Sequence, residues 1–231
     1  MKTFYELQEG LNDPNIFKAF FLAGGPGSGK SYVVRKTTGG TGLQIVNSDD
    51  AFERYLKQAG LSLKMPEDET EPRDVERDRA KKVTSARKGD ATSGYVGQRL
   101  GLIIDGTGRD YDKVSKEKKQ LENIGYDCYM IFVNTSLDVA LERNIERERS
   151  VREDIVIRSW KAVQSNIGKF NNLFKSGMII VDNNKANEDI IISVFKRIKV
   201  LLKNKVTNSR AKQWVSFEMK RRGITKRPKG F

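Results

Sequence analysis

The sequence predicts an α/β fold in which helices cover both faces of a mostly parallel, five-stranded sheet. Three observations support this prediction: five apolar runs, helical spacing between successive runs, and a regular alternation of the two along the chain. The length of 231 residues and the hydrophobic content of 37% are enough for one domain with a substantial core, whereas two full domains would be cramped.

The predicted strands are short runs rich in Ile, Val, Phe and Leu. They occupy residues 17–23, 43–46, 100–104, 129–133 and 178–181. Continuous apolar runs of this length are typical of strands that are buried on both faces, as in parallel sheets.

The predicted helices alternate with these strands. Apolar residues recur at helical spacing in residues 31–36, 50–58, 74–87, 112–123, 137–149, 154–175 and 187–203. Residues 64–90 contain eight acidic and eight basic residues and almost no large apolar side chains, so they predict an exposed helical insertion beside the sheet. The alternation stops near Asn204, which we take as the boundary between a domain of residues 1–204 and a C-terminal extension of residues 205–231.

Composition excludes several classes of protein. No apolar run approaches the ~18 residues that a membrane span needs, and residues 1–15 lack the continuous apolar stretch of a secretion signal. We therefore expect a cytoplasmic protein without a membrane partner. The single cysteine, Cys128, excludes an intramolecular disulfide, and the absence of histidine leaves acid–base chemistry to carboxylates, Lys, Tyr or water.

Basic charge is concentrated at the C-terminus. Residues 196–231 hold 13 basic residues and one acidic residue, Glu218, in a chain whose total net charge is +13. Such a cluster suits contact with a polyanion, and the interleaved Trp214 and Phe217 give it groups that could dock or stack. The alternative is a solvated, partly disordered tail that promotes solubility. We expect truncation after Asn204 to spare folding.

A phosphate-binding loop follows the first predicted strand. The sequence GGPGSGKS at residues 24–31 fits the pattern G-x-x-x-x-G-K-[ST] between a strand and a helix. Glycines let backbone N–H groups converge on phosphate oxygens, while Lys30 reaches the β- and γ-phosphates and the Ser31 hydroxyl binds Mg²⁺. The fold class is therefore a three-layer P-loop NTPase fold. We expect ATP with Mg²⁺, held by Gly25, Gly27, Ser28, Gly29, Lys30 and Ser31.

Two carboxylates, Asp49 and Asp50, follow the second predicted strand. In open α/β sheets a ligand-binding crevice lies outside the carboxyl ends of the strands, and these carboxylates would lie across it from the phosphate loop. A carboxylate at this place can accept the proton of an acceptor hydroxyl as the hydroxyl attacks the γ-phosphorus. Asp50 could instead be the N-cap of a helix over residues 51–58, which makes Asp49 the better candidate for the general base and leaves Asp50 as a substrate-binding candidate.

The third predicted strand ends in the sequence DGTGR at residues 105–109. An Asp at this position beside a phosphate loop often holds the water shell of Mg²⁺, so Asp105 joins Ser31 as a predicted metal ligand. Thr107 and Arg109 could contact the acceptor. Alternatively, the two glycines only form a turn, and Arg109 pairs with a neighbouring acid.

An arginine-rich segment at residues 141–152, the predicted arginine lid, follows the fourth predicted strand. Arg143 and Arg147 are spaced i,i+4 and would share one face of a helix. Guanidinium groups there could close over the γ-phosphate and neutralise the charge that develops during transfer. The alternative is a surface helix whose arginines pair with the neighbouring glutamates.

Together, these motifs resemble the P-loop kinases of the polynucleotide kinase and zeta toxin group over about residues 17–184. The sequence NSDD at residues 47–50 and the arginine lid are similar to phage polynucleotide kinase, which implies Asp49 as general base and Arg143 and Arg147 as phosphate clamps. The DGTGR turn is closer to zeta toxins, in which this turn helps to hold a nucleotide sugar.

The resemblance has two departures on the acceptor side. In zeta toxins the turn usually begins with Glu, where this chain has Asp105. Polynucleotide kinases carry Arg three residues after the base, where this chain has Phe52, so either Arg54 takes over the contact with the acceptor or the acceptor is not a nucleic-acid 5′ end. The overall style is similar to proteins of large tailed phages, which implies the host cytoplasm as the location.

The predicted function is an ATP- and Mg²⁺-dependent kinase that transfers the γ-phosphate to a hydroxyl of a nucleic acid or a nucleotide. The basic extension favours a polymer, and the insertion at residues 64–90 would wall the acceptor site. Two alternatives stay open: a kinase acting on a nucleotide sugar, and a nucleic-acid-binding or assembly protein that binds ATP without transferring phosphate.

Overall fold

A parallel sheet organises the chain. A computed structural model describes residues 10–65, 70–89, 94–185 and 187–226. Within these ranges the strands are β1 (Lys18–Ala23), β2 (Gln44–Val46), β3 (Leu102–Ile104), β4 (Asp127–Asn134) and β5 (Met178–Asp182). Their spatial order is β2-β3-β1-β4-β5, and each neighbouring pair is parallel. The predicted α/β fold is confirmed. All strands therefore end at one side of the sheet, the carboxyl edge, and begin at the opposite side, the amino edge.

Helices connect and flank the strands. They are α1 (Lys30–Thr38), α2 (Asp49–Gln58), α3 (Thr70–Lys88), α4 (Tyr111–Asn123), α5 (Leu137–Glu146), α6 (Glu153–Phe174), α7 (Glu188–Lys203) and α8 (Ser209–Arg222). The first seven match the predicted helices in position. Side-chain oxygens of Asp110, Ser136 and Asn187 cap α4, α5 and α7 by accepting backbone N–H groups. In the described ranges, no helix combines the length and apolarity that a membrane span requires.

The sheet is buried on both faces, as its apolar strands require. In β1, Ala19 and Phe21 pack with α4, α6 and α8, whereas Phe20 and Leu22 pack with α1 and α7. This alternation follows the two-residue period of a strand and produces three layers, helix, sheet and helix.

The helix α3 forms the predicted insertion beside the sheet. It packs against α2 through a separate small core of Phe52, Tyr55, Leu56 and Ala80. The Thr84 hydroxyl of α3 also donates to the Asn47 carbonyl over 3.4 Å. The insertion therefore lies next to the segment that follows β2, where the acceptor-side carboxylates begin.

The helix α8 belongs to the packed structure although its sequence is strongly basic. Ala211 and Val215 are buried in the core of the sheet, and the Trp214 ring lies edge-on to Phe17 at a centroid distance of 5.5 Å. The alternative of a partly disordered tail is wrong for residues 209–222. Because α8 contributes to the core, we expect truncation after Asn204 to destabilise the fold, contrary to the expectation from the sequence. Residues 227–231 lie outside the described residues, and the domain boundary itself stays a prediction.

The position of α8 is at the amino edge of the sheet. Phe17, which contacts Trp214, immediately precedes β1, and Gly125, against which Ala211 packs, lies just before β4. The Asn208 side chain donates to the Glu122 carbonyl at the end of α4 over 3.2 Å. The basic helix is therefore on the opposite side of the sheet from the ends of the strands.

Candidate active site

The phosphate loop joins β1 to α1 at the carboxyl edge. Its Gly24 N–H donates to the Thr107 carbonyl over 2.9 Å, which ties the loop to the segment after β3. Gly27 and Gly29 have φ angles of 76° and 82°, and a Cβ on Gly27 would overlap with the Ala140 carbonyl of α5. These two positions therefore require glycine for backbone conformation, and Gly27 requires it for packing as well.

Asn183, which follows β5, holds the middle of the loop. Its side-chain amide donates to the Ser28 carbonyl over 2.8 Å, and its own carbonyl accepts from the Arg143 guanidinium over 2.7 Å. Arg143 also donates to the Asn184 carbonyl over 3.3 Å. Among the described residues, the buried Ser28 Oγ has no hydrogen-bond partner. This orphaned hydroxyl in a glycine-rich loop fits the binding of a phosphate oxygen.

Lys30 is the first residue of α1 and carries the positive charge of the loop. Burial lowers the pKa of its ammonium group, whereas the carboxylates of Asp105 and Asp49 raise it. The ends of β1, β2 and β3 therefore bring these three charges within electrostatic range of one another. A partly desolvated cation beside acids is suited to bind the anionic phosphates that the motif predicts.

The two carboxylates after β2 have different surroundings from those expected. The helix α2 begins at Asp49 and its N-cap is Ser48, and the Asp49 N–H donates to the Asn47 side-chain oxygen over 2.7 Å. Asp50 therefore lies in the first turn, so the alternative that made it the N-cap is wrong. Asp50 and Arg54 line an open groove on the exposed face of α2, together with Glu53, Lys57 and Gln58.

Arg149 brings the segment between α5 and α6 to Asp49. Its Nη2 lies 3.2 Å from Asp49 Oδ2, and the Arg149 side chain is 16% exposed whereas that of Asp49 is 60% exposed. The guanidinium carbon also lies 5.8 Å from the centroid of the Phe52 ring. The charge of Arg149 lowers the pKa of Lys30 further, so Arg149 is close to both the base candidate and the phosphate loop.

The helix that carries the predicted lid arginines is shorter than expected. It ends at Glu146, and Arg147 has an extended backbone. The Asn144 side chain exchanges hydrogen bonds of 2.7 and 3.1 Å with the Val151 backbone and turns the chain back toward α6. Arg143 and Arg147 therefore do not share a helix face, and that expectation is wrong. The Arg143 guanidinium, which donates to two carbonyls beside the phosphate loop, stays near it, and Arg147 lies near Arg149 and Asp49.

Other arginines surround the aromatic side chains of α2. The guanidinium carbon of Arg77 lies 5.1 Å from the Phe52 centroid, and those of Arg79 and Arg54 lie 4.1 and 5.4 Å from the Tyr55 centroid. Cation–π contacts of this kind favour guanidinium groups over aromatic faces. The guanidinium groups at these two rings thus come from α2, α3 and the lid, and those of Arg77 and Arg79 also pair with Asp74 and Glu76 of α3.

The turn after β3 is fixed by Asn166 of α6. The Asn166 side-chain amide donates to the carbonyls of Gly108 and Arg109 over 3.1 and 3.0 Å. Gly108 has a φ angle of 75°, and a Cβ there would lie 2.5 Å from that of Ala23. Thr107 is half-buried beside the phosphate loop, whereas the Arg109 side chain is exposed.

Ser31 and Asp105 have the donor types that Mg²⁺ prefers. Ser31 is exposed in the first turn of α1, and Asp105 is half-buried, with its pKa raised by burial and lowered by Lys30. A hydroxyl and a carboxylate fit Mg²⁺ when phosphate oxygens and water complete the octahedron. In the parts of the chain that the structure describes, no group of three or more His, Cys, Asp or Glu side chains could hold a metal. The residues therefore fit Mg²⁺ that arrives with a nucleotide.

Three residues of this site are not singled out by the sequence analysis. Asn183 carries a signal similar to that of Asp105, because it is the second polar residue after the apolar run of residues 178–181, and could have been found. Arg149 lies in the lid segment, but nothing in its spacing distinguishes it from Arg147. Asn166 lies within a long helix and has no local signal.

Comparison with known families agrees with this architecture. A family model described as an AAA domain matches residues 20–169, about two thirds of the chain. The chain belongs to this AAA domain family. The AAA domain match includes the phosphate loop, Asp49, Asp105 and the lid segment.

Solved structures similar to this AAA domain protein are kinases by name. A gluconokinase from Sinorhizobium meliloti 1021 is 13% identical, with 81% of this chain and 95% of that chain covered and a TM-score of 0.51. A chain assigned as a kinase from Chloroflexus aurantiacus j-10-fl is 16% identical, with 81% and 97% covered and a TM-score of 0.51. At these identities the similarity shows the fold, which is P-loop kinase-like. The search of curated proteins found no match.

Proposed function

We propose that this protein is an ATP-dependent phosphotransferase that moves the γ-phosphate to a hydroxyl of a nucleic acid or nucleotide. The observation that carries the proposal is the grouping of Lys30, Asp105 and Asp49 at the carboxyl edge, with Arg149 ion-paired to Asp49. A nucleotide-binding lysine and a carboxylate on the acceptor side are the two groups that a hydroxyl kinase needs within reach of one another.

Each residue has a defined role in the proposed reaction. Bound ATP supplies the γ-phosphoryl group, and Mg²⁺ neutralises charge on the phosphate oxygens. Lys30 and the loop N–H groups hold the phosphates. Asp49 accepts the hydroxyl proton while the hydroxyl oxygen forms a bond to the γ-phosphorus, and the bond from that phosphorus to the bridging oxygen breaks to release ADP. Ser31 and Asp105 would hold Mg²⁺.

Arginines of the lid complete the proposed site. Arg149 orients the Asp49 carboxylate and supplies positive charge where the transferred group becomes more negative. Arg147 lies near Arg149 and Asp49, and Arg143 stabilises the loop that follows β5. Asp50, Arg54, Thr107 and Arg109 are proposed acceptor contacts, because they lie on α2 or on the turn after β3, at the same edge of the sheet.

The preference for a nucleic acid or nucleotide rests on charge. Arg149 pairs with the base candidate, Arg147 lies near it, and Arg54 lines the groove that contains Asp50, which suits an acceptor that carries phosphates. This places the protein, as a proposal, among polynucleotide kinase-like enzymes.

Transfer of labelled γ-phosphate from ATP with Mg²⁺ to a panel of acceptors tests the proposal. The panel contains 5′-hydroxyl DNA and RNA, hydroxymethylated duplex DNA, mononucleotides, UDP-N-acetylglucosamine and gluconate. We expect label on a nucleic acid or nucleotide, lost in Asp49→Asn and retained at a reduced level in Asp50→Asn. Label on a sugar acceptor alone would overturn the acceptor class, and ATP binding without transfer to any acceptor would favour an assembly protein.

A further inference from the structure

The exposed side of α8 is a basic surface without an exposed acid. Its basic residues are Arg210, Lys212, Lys220, Arg221 and Arg222, all exposed, and together with Phe217 they define the α8 surface. Glu218, the one acid of residues 203–226, is buried and accepts hydrogen bonds from Arg221 and Arg222. Glu218 thus pairs with two of the five cations, and the charges of Arg210, Lys212 and Lys220 are not balanced by an acid of the same helix.

An aromatic ring lies in the middle of this surface. Phe217 is 64% exposed, whereas Trp214 is partly buried and packs on Phe17. On a helix, Phe217 is a neighbour of Lys220 and Arg221, because residues three and four positions apart share one face. An exposed ring among cations matches the way in which single-stranded nucleic acid is bound, by stacking on aromatic rings with phosphates held by basic groups.

We propose that the α8 surface is a second nucleic-acid site that binds a single strand outside the active site. The strand's phosphates would contact Lys212 and Lys220, which are eight residues apart on one side of α8, and one of its bases would stack on Phe217, one turn before Lys220. This inference rests on the proposed function in one respect only: the bound strand is taken to be the acceptor polymer itself.

The fold sets the distance that such a polymer must span to contact both sites. The α8 surface is at the amino edge and the phosphate loop is at the carboxyl edge, and they are separated by the length of β1. A six-residue strand rises about 20 Å, so a nucleic-acid strand stacked at ~3.4 Å per nucleotide needs about six nucleotides to span that length, and a more extended strand needs fewer. Longer acceptors gain a second attachment and a higher effective concentration at the active site.

Binding of single-stranded DNA without ATP tests the site directly. Fluorescence anisotropy at several salt concentrations would compare the wild type with the double variant Lys212→Gln/Lys220→Gln. Neither lysine forms an ion pair in the described structure, so the fold is expected to survive, and thermal unfolding checks this. We expect at least about tenfold weaker binding and a salt slope smaller by about 1.4, which corresponds to two lost phosphate contacts.

Matched controls separate this site from general charge effects. The double variant Lys36→Gln/Lys196→Gln removes the same charge from exposed positions on α1 and α7 and is expected to bind like the wild type. Phe217→Ala is expected to weaken binding of single-stranded DNA about tenfold and to leave binding of polyglutamate unchanged. An equal loss in both lysine variants, or unchanged DNA binding by Phe217→Ala, would overturn the proposal.

Kinetics connect the site to the proposed reaction. For the wild type, KM is expected to fall as the acceptor grows beyond about six nucleotides, and this fall should be smaller in Lys212→Gln/Lys220→Gln. Because binding is measured without ATP, absence of transfer would contradict the proposed function and leave the binding result standing. Transfer with a length-independent KM would contradict the link between the two sites.

Discussion

Arg149 forms an ion pair with Asp49, with Nη2 and Oδ2 3.2 Å apart. This contact joins the segment between α5 and α6 to the candidate general base. It also indicates which arginine of the lid lies nearest to the proposed chemistry.

Arg149→Ala is expected to lower kcat about 100-fold, because both the orientation of Asp49 and a positive charge at the transferred group are lost. Arg147→Ala is expected to lower kcat less, and Arg149→Lys should recover part of the loss. Steady-state kinetics with the best acceptor measure these effects. Arg158→Ala serves as the control, since its side chain is 73% exposed and pairs only with Asp154 in the described structure. A larger effect of Arg147→Ala would contradict the assignment to Arg149.

Lys30→Ala is expected to reduce transfer by about a thousandfold or more, because the cation that contacts the β- and γ-phosphates is removed. The unliganded protein should not become less stable, since burial lowers the pKa of Lys30 and the charge is unfavourable there. Thermal unfolding with and without ATP and Mg²⁺ measures both effects. Unchanged turnover would be incompatible with a phosphate-binding role for the loop.

Val215→Ala is expected to lower the free energy of unfolding by about 2 kcal/mol, because Val215 is 2% exposed in the core that α8 shares with the sheet. A chain that ends at Asn204 should be destabilised by more, which reverses the expectation from sequence. Urea unfolding measures both, with the exposed Ser216→Ala as control. An unchanged unfolding midpoint for the truncated chain would show that α8 does not stabilise the sheet.

Glu218 should make stability depend on pH below the neutral range. The hydrogen bond from Arg221 lowers the pKa of Glu218, burial opposes this, and Arg222 lowers the pKa further. A carboxyl group with a lowered pKa stabilises the folded state above its unfolded pKa, and this contribution is lost as pH falls through the lower folded value. Glu218→Gln should therefore cost about 1 kcal/mol at pH 7, with the difference vanishing toward pH 3. A difference that is constant with pH would indicate a packing effect.

The sequence predicts the parts of this protein that depend on local pattern. The five strands are continuous apolar runs, and Asp49, Asp105 and the phosphate loop follow three of them at the carboxyl edge. Because parallel strands end at one edge, their order in the sheet is not needed to bring these residues near one another.

Parts that depend on tertiary contacts are not predictable in this way. No glycine or proline marks the end of α5 at Glu146, since the chain is turned there by the Asn144 side chain bound to Val151. Likewise, the high charge of residues 205–231 obscures the helical spacing of Ala211, Val215 and Glu218, which is the buried side of α8. A helix with few apolar residues can therefore still pack into the core, because the sheet and the neighbouring helices supply the other apolar side chains.

The hydrogen bond from Asn183 to Ser28 connects residues that are 155 positions apart. Synthesis runs from the N-terminus, so the phosphate loop leaves the ribosome long before β5 and Asn183 exist. Until then, the loop has its sequence but lacks the contact that holds its middle. We therefore expect the phosphate loop to reach its final conformation only after most of the chain has been made.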